Sequence, residues 1–157
     1  YFNGSGILQH GWLLDNGNWY YLNGSGFMVT CWQKMPDGNW YYFNGSGVMQ
    51  TGWVTWSKLG TKSYFNDDGK ARTGWHTLWG KRYYFDPATA RSLRWENRIG
   101  GSFYYFNAAS QMHTGWLTWS ADKKRSYFDP KTGKAYVGWH KIGGKNYYFD
   151  PLTFKTR

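Results

Sequence analysis

A Gly-Trp step recurs along the whole chain and constrains the fold more than any other feature. It falls at Gly11-Trp12, Gly52-Trp53, Gly74-Trp75, Gly115-Trp116 and Gly138-Trp139, and Cys31-Trp32 and Arg94-Trp95 stand at two further positions. Successive tryptophans of this set are 20, 21, 22, 20, 21 and 23 residues apart. A period this regular indicates a series of small, similar units that stack on one another.

Each unit has the pattern of a β-hairpin. A first strand starts at the tryptophan, a turn such as Asp15-Asn16-Gly17-Asn18 follows, and the second strand has the form Tyr-Tyr-Phe. The turn residues tolerate a positive φ between two β-favouring segments. Connectors such as Asn23-Gly24-Ser25-Gly26 then lead to the next unit, and no window has the period of a helix. Because a single hairpin is only marginally stable, the units must support one another.

A longer period adds a prediction about architecture. Tryptophans three units apart are separated by 63 or 64 residues, and the segment Trp53-Val54-Thr55-Trp56-Ser57 returns as Trp116-Leu117-Thr118-Trp119-Ser120. We therefore expect an all-β fold: a β-solenoid of stacked β-hairpins with about three hairpins per superhelical turn. Alternatively, the longer period records only a past duplication.

Composition and charge divide the chain. Aromatic residues make up 23% of it and the formal net charge is +10. Residues 1–57 contain one basic residue, Lys34, whereas residues 58–157 contain eighteen basic and seven acidic residues. We expect residues 1–157 to be a single repeat module cut from a longer chain: a partial repeat (1–11), aromatic neutral repeats (12–57) and basic repeats (58–157). The basic part favours a polyanionic partner, or simply keeps an aromatic-rich protein soluble.

Several functions are disfavoured by what the sequence lacks. No segment approaches the roughly 20 apolar residues of a membrane span, and the single Cys31 excludes an internal disulfide. Glu96 is the only glutamate and no pair of carboxylates suggests glycoside hydrolysis. No histidine has a cluster at metal-ligand spacing, so we expect no catalysis, cofactor or metal. Nucleic-acid binding is less favoured, because the hairpin repeat already explains the aromatic residues.

Comparison of the units separates core from surface. The last position of the second strand is always large and apolar, which predicts a buried seam: Leu22, Phe43, Phe65, Phe85, Phe106, Phe128 and Phe149. The first position varies too widely for a core and should be exposed: Trp19, Trp40, Lys62, Arg82, Phe103, Arg125 and Asn146. Exposed rings such as Trp12 and Trp19, with rings of the next hairpin, could wall a shallow box. Such a box suits a quaternary ammonium or a sugar ring.

Residues 11–28 (GWLLDNGNWYYLNGSGFM) and 35–53 (MPDGNWYYFNGSGVMQTGW) closely resemble the choline-binding, cell-wall-binding repeats of Gram-positive surface proteins and phage lysins. Residues 73–87 and 133–151 are more similar to the related glucan-binding and clostridial-toxin carbohydrate-binding repeats.

The resemblance implies cages between consecutive hairpins. The first expected cage is Trp12, Trp19 and Tyr42 with Met28. The second is Trp32, Trp40 and Tyr64 with Met49, and a third is Trp95, Phe103 and Tyr127. Trp53 and Trp116 are further Gly-Trp candidates for ligand contact. At Lys62, Arg82 and Arg125 a cation replaces the cage aromatic and should repel choline, leaving phosphate or a glycan hydroxyl as weak contacts.

Together these features predict a non-catalytic targeting module, secreted or on a bacterial cell surface, with a phage lysin as a further source. We expect it to bind choline residues of teichoic acid. An α-glucan or other carbohydrate is the alternative ligand, and a structural spacer is the alternative role, although the exposed Trp19 and Trp40 count against a spacer. A catalytic domain, such as a wall hydrolase or a glucansucrase, is expected outside this segment. Neither nucleic acid nor membrane insertion is expected.

Overall fold

Seven β-hairpins make up the computed structural model, which describes residues 1–157. The first three pair β1 (Gly11–Asp15) with β2 (Asn18–Leu22), β3 (Cys31–Lys34) with β4 (Trp40–Phe43), and β5 (Gly52–Trp56) with β6 (Thr61–Phe65). The others pair β7 (Gly74–Leu78) with β8 (Lys81–Phe85), β9 (Trp95–Ile99) with β10 (Ser102–Phe106), β11 (Gly115–Thr118) with β12 (Arg125–Phe128), and β13 (Gly138–Ile142) with β14 (Lys145–Phe149). Each hairpin is its own two-stranded sheet, so the all-β prediction with one hairpin per step is confirmed. The protein has no helix that could cross a bilayer.

The residue before the repeat tryptophan starts each hairpin in a left-handed conformation. Gly52 has φ 69° and pairs with Phe65, and Cys31, with φ 62°, pairs with Phe43 in the same way. In β9 this place is taken by Trp95, which has φ 63° and pairs with Phe106. The expectation that Arg94-Trp95 replaces Gly-Trp is therefore wrong by one residue, and Glu96 occupies the tryptophan position. A shift of one residue turns every side chain to the other face of a strand.

The two faces of each hairpin have different roles. The front face carries the Gly-Trp tryptophan and the first residue of the second strand, as in Trp32 and Trp40; the back face carries residues such as Phe43. The front of one hairpin packs against the back of the next. Ring centroids lie 6.0 Å apart for Trp12 and Phe43, and 5.4 Å apart for Trp32 and Phe65.

The predicted seam is confirmed. All seven residues at the last position of the second strand are buried, with exposed fractions of 0% for the six phenylalanines and 3% for Leu22. Full burial of a phenylalanine contributes about 1.5–3 kcal/mol from the hydrophobic effect. Because each hairpin is too small to have a core of its own, burial in this seam between hairpins contributes to the stability of every hairpin.

The chain divides into two compact units. Unit 1 comprises Tyr1–Gly74 with Phe85–Arg91, and unit 2 comprises Trp75–Tyr84 with Ser92–Arg157. Inside each unit, the connector that follows a hairpin donates a backbone hydrogen bond to the previous hairpin along the chain. The Met49 amide donates to the Trp19 carbonyl in unit 1, and the Met112 amide donates to the Arg82 carbonyl in unit 2, both at 2.8 Å.

Connectors also pack on one another through a glycine. Gly47 has φ 77°, and a Cβ there would collide with the Met28 side chain. Gly69 is covered by Met49 and Gly133 by Met112 in the same way. At these positions glycine is required both by the left-handed backbone and by a methionine side chain of the preceding connector.

Candidate functional site

The first open aromatic box is formed by Trp12, Trp19 and Tyr41. The centroids of Trp12 and Trp19 lie 6.2 Å apart with their planes at 88°, and Tyr41 lies 5.1 Å from Trp12 at 62°. Trp12 and Trp19 each keep 43% of their surface exposed, whereas Tyr41 is buried. Three rings therefore line one side of a solvent-open box, which we call box 1.

Two of the residues expected in this cage lie elsewhere. Tyr42 faces away from Tyr41 along the strand and contacts Trp32 at 5.6 Å and Trp56 at 4.8 Å. It is the back face of the second hairpin that meets Trp12, so Tyr41 supplies the ring. Met28 lies in the connector stack and lines a cavity with Tyr20, which belongs to the back face of the first hairpin.

Met49 is the methionine next to box 1. Its side chain packs against the buried cluster that contains Tyr41 and Phe43. Its amide is also the one bonded to the Trp19 carbonyl. The sequence predicted Met28 in this cage, whereas the structure places Met49, the methionine of the next connector, beside it.

Two carboxylates act on the tyrosine of box 1, and their negative charge favours a cation. The Tyr41 hydroxyl donates to the Asp37 carboxylate at 3.0 Å. Burial of the phenol, then this hydrogen bond and the nearby charges of Asp37 and Asp68, raises the pKa of Tyr41 well above its usual range. Hydrogen bonds from Asn39 lower the pKa of Asp37, so this carboxylate is ionised at neutral pH.

The second open box, box 2, is formed by Trp32, Trp40 and Trp56. Trp32 lies 6.1 Å from Trp40 at 88° and 5.3 Å from Trp56. In the next hairpin, the position that corresponds to Tyr41 is held by Ser63. A serine has no ring, so the third ring of box 2 comes from another residue, Trp56. Trp56 fills the room above this serine and donates its indole N–H to the Ser63 hydroxyl at 2.9 Å.

Tyr64, which was expected in this cage, is on the front face of its own hairpin and contacts Trp53 at 5.2 Å. Box 2 instead opens into a cavity of about 220 Å³ lined by Trp32, Trp40, Ala88, Thr89 and Arg91. Trp32 Nε1 and Arg91 Nε are both buried and have no hydrogen-bond partner.

Three other boxes are filled by a cation of the protein itself. The ammonium of Lys62 lies 4.3 Å from the centroid of Trp53, and the guanidinium of Arg82 lies 4.8 Å from that of Trp75. The Arg125 guanidinium lies 4.5 Å from Trp116. Burial lowers the pKa of Lys62. These cations do more than repel a ligand, because each occupies the position where a cationic ligand would meet the tryptophan.

The first position of the second strand is therefore less exposed than expected. Trp40, Lys62, Arg82 and Phe103 are half-buried, because each packs against rings of the front face or its neighbours; Trp19, Arg125 and Asn146 are exposed as predicted.

The structure does not assemble the third expected cage. Trp95 is 48% exposed and its ring contact is with Tyr105, at 6.3 Å. Phe103 packs on Phe154 at 4.6 Å, and Tyr127 packs on Trp116 at 5.0 Å. The shift that places Trp95 in the glycine position explains why these three rings lie apart.

Sequence reasoning missed Tyr41, Trp56 and Arg91. For Trp56 the signal was present, because a Trp-Ser pair seven residues apart recurs as Trp119 and Ser126, with the same hydrogen bond at 2.8 Å. For Arg91 no signal was available, since its role depends on where the connector folds. No group of His, Cys, Asp and Glu side chains is arranged to hold a metal ion.

Comparison with known proteins gives a family. A sequence model described as a choline-binding repeat matches residues 29–71 and 96–137, which is more than half of the chain. The chain belongs to the choline-binding repeat family. A model described as a putative cell wall binding repeat matches residues 10–28 and 137–151. A search of curated proteins gave no match.

Solved structures of this family have the same fold. Choline binding protein F of Streptococcus pneumoniae is 29% identical, with a TM-score of 0.83 over 100% of this chain and 54% of its own length. CbpJ of Streptococcus pneumoniae is 28% identical, with a TM-score of 0.86 over 100% of this chain and 55% of its own. The modular autolysin LytC of the same species is 26% identical, with a TM-score of 0.58 over 99% of this chain and 36% of its own. The chain thus spans about half of the two choline-binding proteins.

Proposed function

We propose that this chain is a non-catalytic targeting module that holds choline groups of a bacterial wall polymer in its two open aromatic boxes. The observation that carries the proposal is box 1, where Trp12, Trp19 and Tyr41 form an open cage next to carboxylates. Ring faces attract a quaternary ammonium by about 0.5–2 kcal/mol each, depending on desolvation. A choline-bearing teichoic acid supplies many copies of that group.

Multivalency explains how weak sites can anchor a protein. Each box is shallow, so each should release choline quickly. Once one box has bound, the next choline of the same polymer is present at a high effective concentration, and the overall affinity rises by orders of magnitude. Two open boxes in one module are enough for this effect.

The setting follows from the family and from its neighbours. LytC is described as a modular autolysin, and choline binding protein F was also solved in the presence of a peptidoglycan analogue. We infer that this module is secreted or lies on the cell surface and delivers a larger protein, with or without a catalytic domain, to the wall. The partner is the wall polymer rather than nucleic acid or a membrane.

We also infer the solenoid of about three hairpins per turn, and a single module over residues 1–157. Two contacts inside unit 1 support the stacking. The Ala71 amide donates to the Trp40 carbonyl of the preceding hairpin at 2.8 Å. The segment with Ala88 and Arg91, two hairpins further on, lines the cavity at the front face of that same hairpin.

Mutation of both boxes tests the proposal. The double variant Trp19→Ala with Trp40→Ala should lose binding to choline-bearing cell walls, while circular dichroism shows the fold intact. The control is Trp79→Ala, which removes another tryptophan with 72% of its surface exposed, outside both boxes. Retention of wall binding by the double variant would exclude the boxes as the site. Binding displaced by an α-glucan oligosaccharide and not by free choline would favour the carbohydrate alternative.

A further inference from the structure

Charge is divided unevenly between the two units, although both consist of the same kind of hairpin. Unit 2 contains thirteen basic and four acidic residues, whereas unit 1 contains six basic and five acidic residues. Solubility does not explain this difference, because unit 1 carries nine of the fourteen exposed large hydrophobic side chains and is still close to neutral. The excess positive charge of unit 2 therefore indicates an anionic partner.

The aromatic boxes follow the same division. Both open boxes are built from residues of unit 1. In unit 2, Arg82 lies over Trp75 and Arg125 lies over Trp116, so a cation of the protein already occupies these two boxes. A cationic ligand thus has its open sites in unit 1 and is repelled by the net charge of unit 2. The partner of unit 2 is therefore expected to be an anion that carries no quaternary ammonium.

The turn of the sixth hairpin, between β11 and β12, concentrates this charge. Lys123 and Lys124 lie in the turn, Arg125 starts β12, and all three are exposed. Asp122 is the only carboxylate of the turn, and the Lys155 ammonium pairs with it at 3.0 Å. Neither Lys123 nor Lys124 belongs to an ion pair. Two neighbouring ammonium groups are thus available to an anion.

The third hairpin shows that the fold does not require these lysines. It is the sequence counterpart of the sixth hairpin, and when the two are aligned at the serine that accepts the indole N–H, Gly60 corresponds to Lys123 and Thr61 to Lys124. Gly60 has φ 64° and Lys123 has φ 58°. Glycine adopts this left-handed conformation freely, whereas a side chain makes it unfavourable. The sixth hairpin therefore has a charge where a glycine would suit the backbone better, which favours a functional role for the lysine.

A linear polyanion fits this surface better than a small anion. A single ion at an exposed turn stays hydrated and is weakly held. A polymer with regularly spaced anionic groups meets many cations of unit 2 at once and releases its counterions on binding. Nucleic acid would in addition need open rings beside the cations for its bases. The ring of this turn, Trp119, instead lies under the Lys155 ammonium and donates its indole N–H to Ser126.

We propose that unit 2 binds an anionic polysaccharide, which carries carboxylate or sulfate groups and no choline, and that Lys123 and Lys124 are its main contacts. This interaction goes beyond the proposed function and uses none of the residues of boxes 1 and 2. The module would then hold two different polymers, one through the rings of unit 1 and one through the charges of unit 2.

Calorimetric titration of the full chain with heparin and with polygalacturonate tests the proposal, with uncharged dextran as the blank. The main variant is Lys123→Gly with Lys124→Thr, which introduces the residues of the third hairpin. It should melt no lower than the parent chain, because glycine suits the left-handed position, and should bind both polyanions about tenfold more weakly at low salt. Lys123→Gln with Lys124→Gln should weaken binding to the same extent, and Lys123→Arg with Lys124→Arg should preserve it.

The matched control is Lys58→Gln, which removes an exposed lysine from the turn of the third hairpin and should change the affinity by less than about twofold. The slope of log affinity for heparin against log salt should decrease by about one for each of Lys123 and Lys124 removed. The Trp19→Ala, Trp40→Ala chain should bind heparin as the parent does. The Lys123→Gly, Lys124→Thr chain should keep its response to choline, so the two sites can fail independently.

Three results would overturn the proposal. The first is that neither heparin nor polygalacturonate binds, or that the Lys123→Gly, Lys124→Thr chain binds them as tightly as the parent does. The second is an equal loss of affinity in Lys58→Gln, which would show that the polymer responds to total charge and not to the turn of the sixth hairpin. The third is tighter binding of single-stranded oligo-dT than of either polysaccharide, which would assign unit 2 to nucleic acid.

Discussion

Arg82→Trp should turn a self-filled box into a choline site. The box at Arg82 matches box 1 in the placement of its tryptophan, its tyrosine and the connector amide, and has Arg82 where box 1 has Trp19. Trp75 lies 4.9 Å from Tyr104 at 60°, compared with 5.1 Å and 62° for Trp12 and Tyr41. The Met112 amide donates to the Arg82 carbonyl at 2.8 Å, as the Met49 amide does to Trp19.

The substitution removes the guanidinium that lies 4.8 Å from the Trp75 ring and supplies the missing third ring. At about 0.5–2 kcal/mol per ring, the new site should bind choline within about tenfold of box 1. Calorimetry should then show one more choline bound per chain. Arg98→Trp is the control, because Arg98 lies over Phe103, outside this box, and should leave the number of sites unchanged. A folded Arg82→Trp chain with no extra site would refute the view that replacing the guanidinium by a third ring is enough to make this box a choline site.

Three further predictions concern the fold. Phe154→Ala should lower the free energy of unfolding by about 3–5 kcal/mol, because the ring is 6% exposed, while Leu152→Ala, at 84% exposed, should change it little in urea denaturation. Gly47→Ala should lower the free energy of unfolding by about 1–3 kcal/mol, because Gly47 has φ 77° and a Cβ there would meet a methionine. Gly45→Ala, where a Cβ would point into open space, should be tolerated. Equal stabilities of the two variants would contradict the connector packing. Because the folded-state pKa of Tyr41 is raised above its ordinary value of 10.0, its contribution to stability is complete below that pH and is lost progressively as the pH rises from there through the folded-state pKa. Tyr41→Phe should therefore reduce the loss of stability at alkaline pH, measured as the difference in the free energy of unfolding between about pH 8 and about pH 11.

The periodic sequence was sufficient to predict the secondary structure and the buried seam, because both depend on features within a single hairpin. Turn glycines and the alternation of side chains in short strands act within one hairpin, so they can be recognised from the residues alone. The fully buried Phe43 and Phe65 were predictable because their position never admits a polar residue.

The composition of the boxes was less predictable because it depends on contacts between hairpins. Tyr41 and Tyr42 are adjacent in sequence, and only the stacking shows which one meets Trp12. Trp95 shows a second limit, since a one-residue shift in register moved it into the position usually held by glycine. Arg91 enters box 2 from a connector two hairpins away, a contact that no local pattern encodes.

Tryptophan fluorescence during a titration with choline, run beside an isomalto-oligosaccharide and a salt control, tests the central claim most directly. Rings at the boxes should respond to the ligand, so a saturable change with choline alone is predicted, and it should be lost in the Trp19→Ala, Trp40→Ala chain. A saturable response to the oligosaccharide with none to choline would contradict the account and assign the boxes to sugar rings.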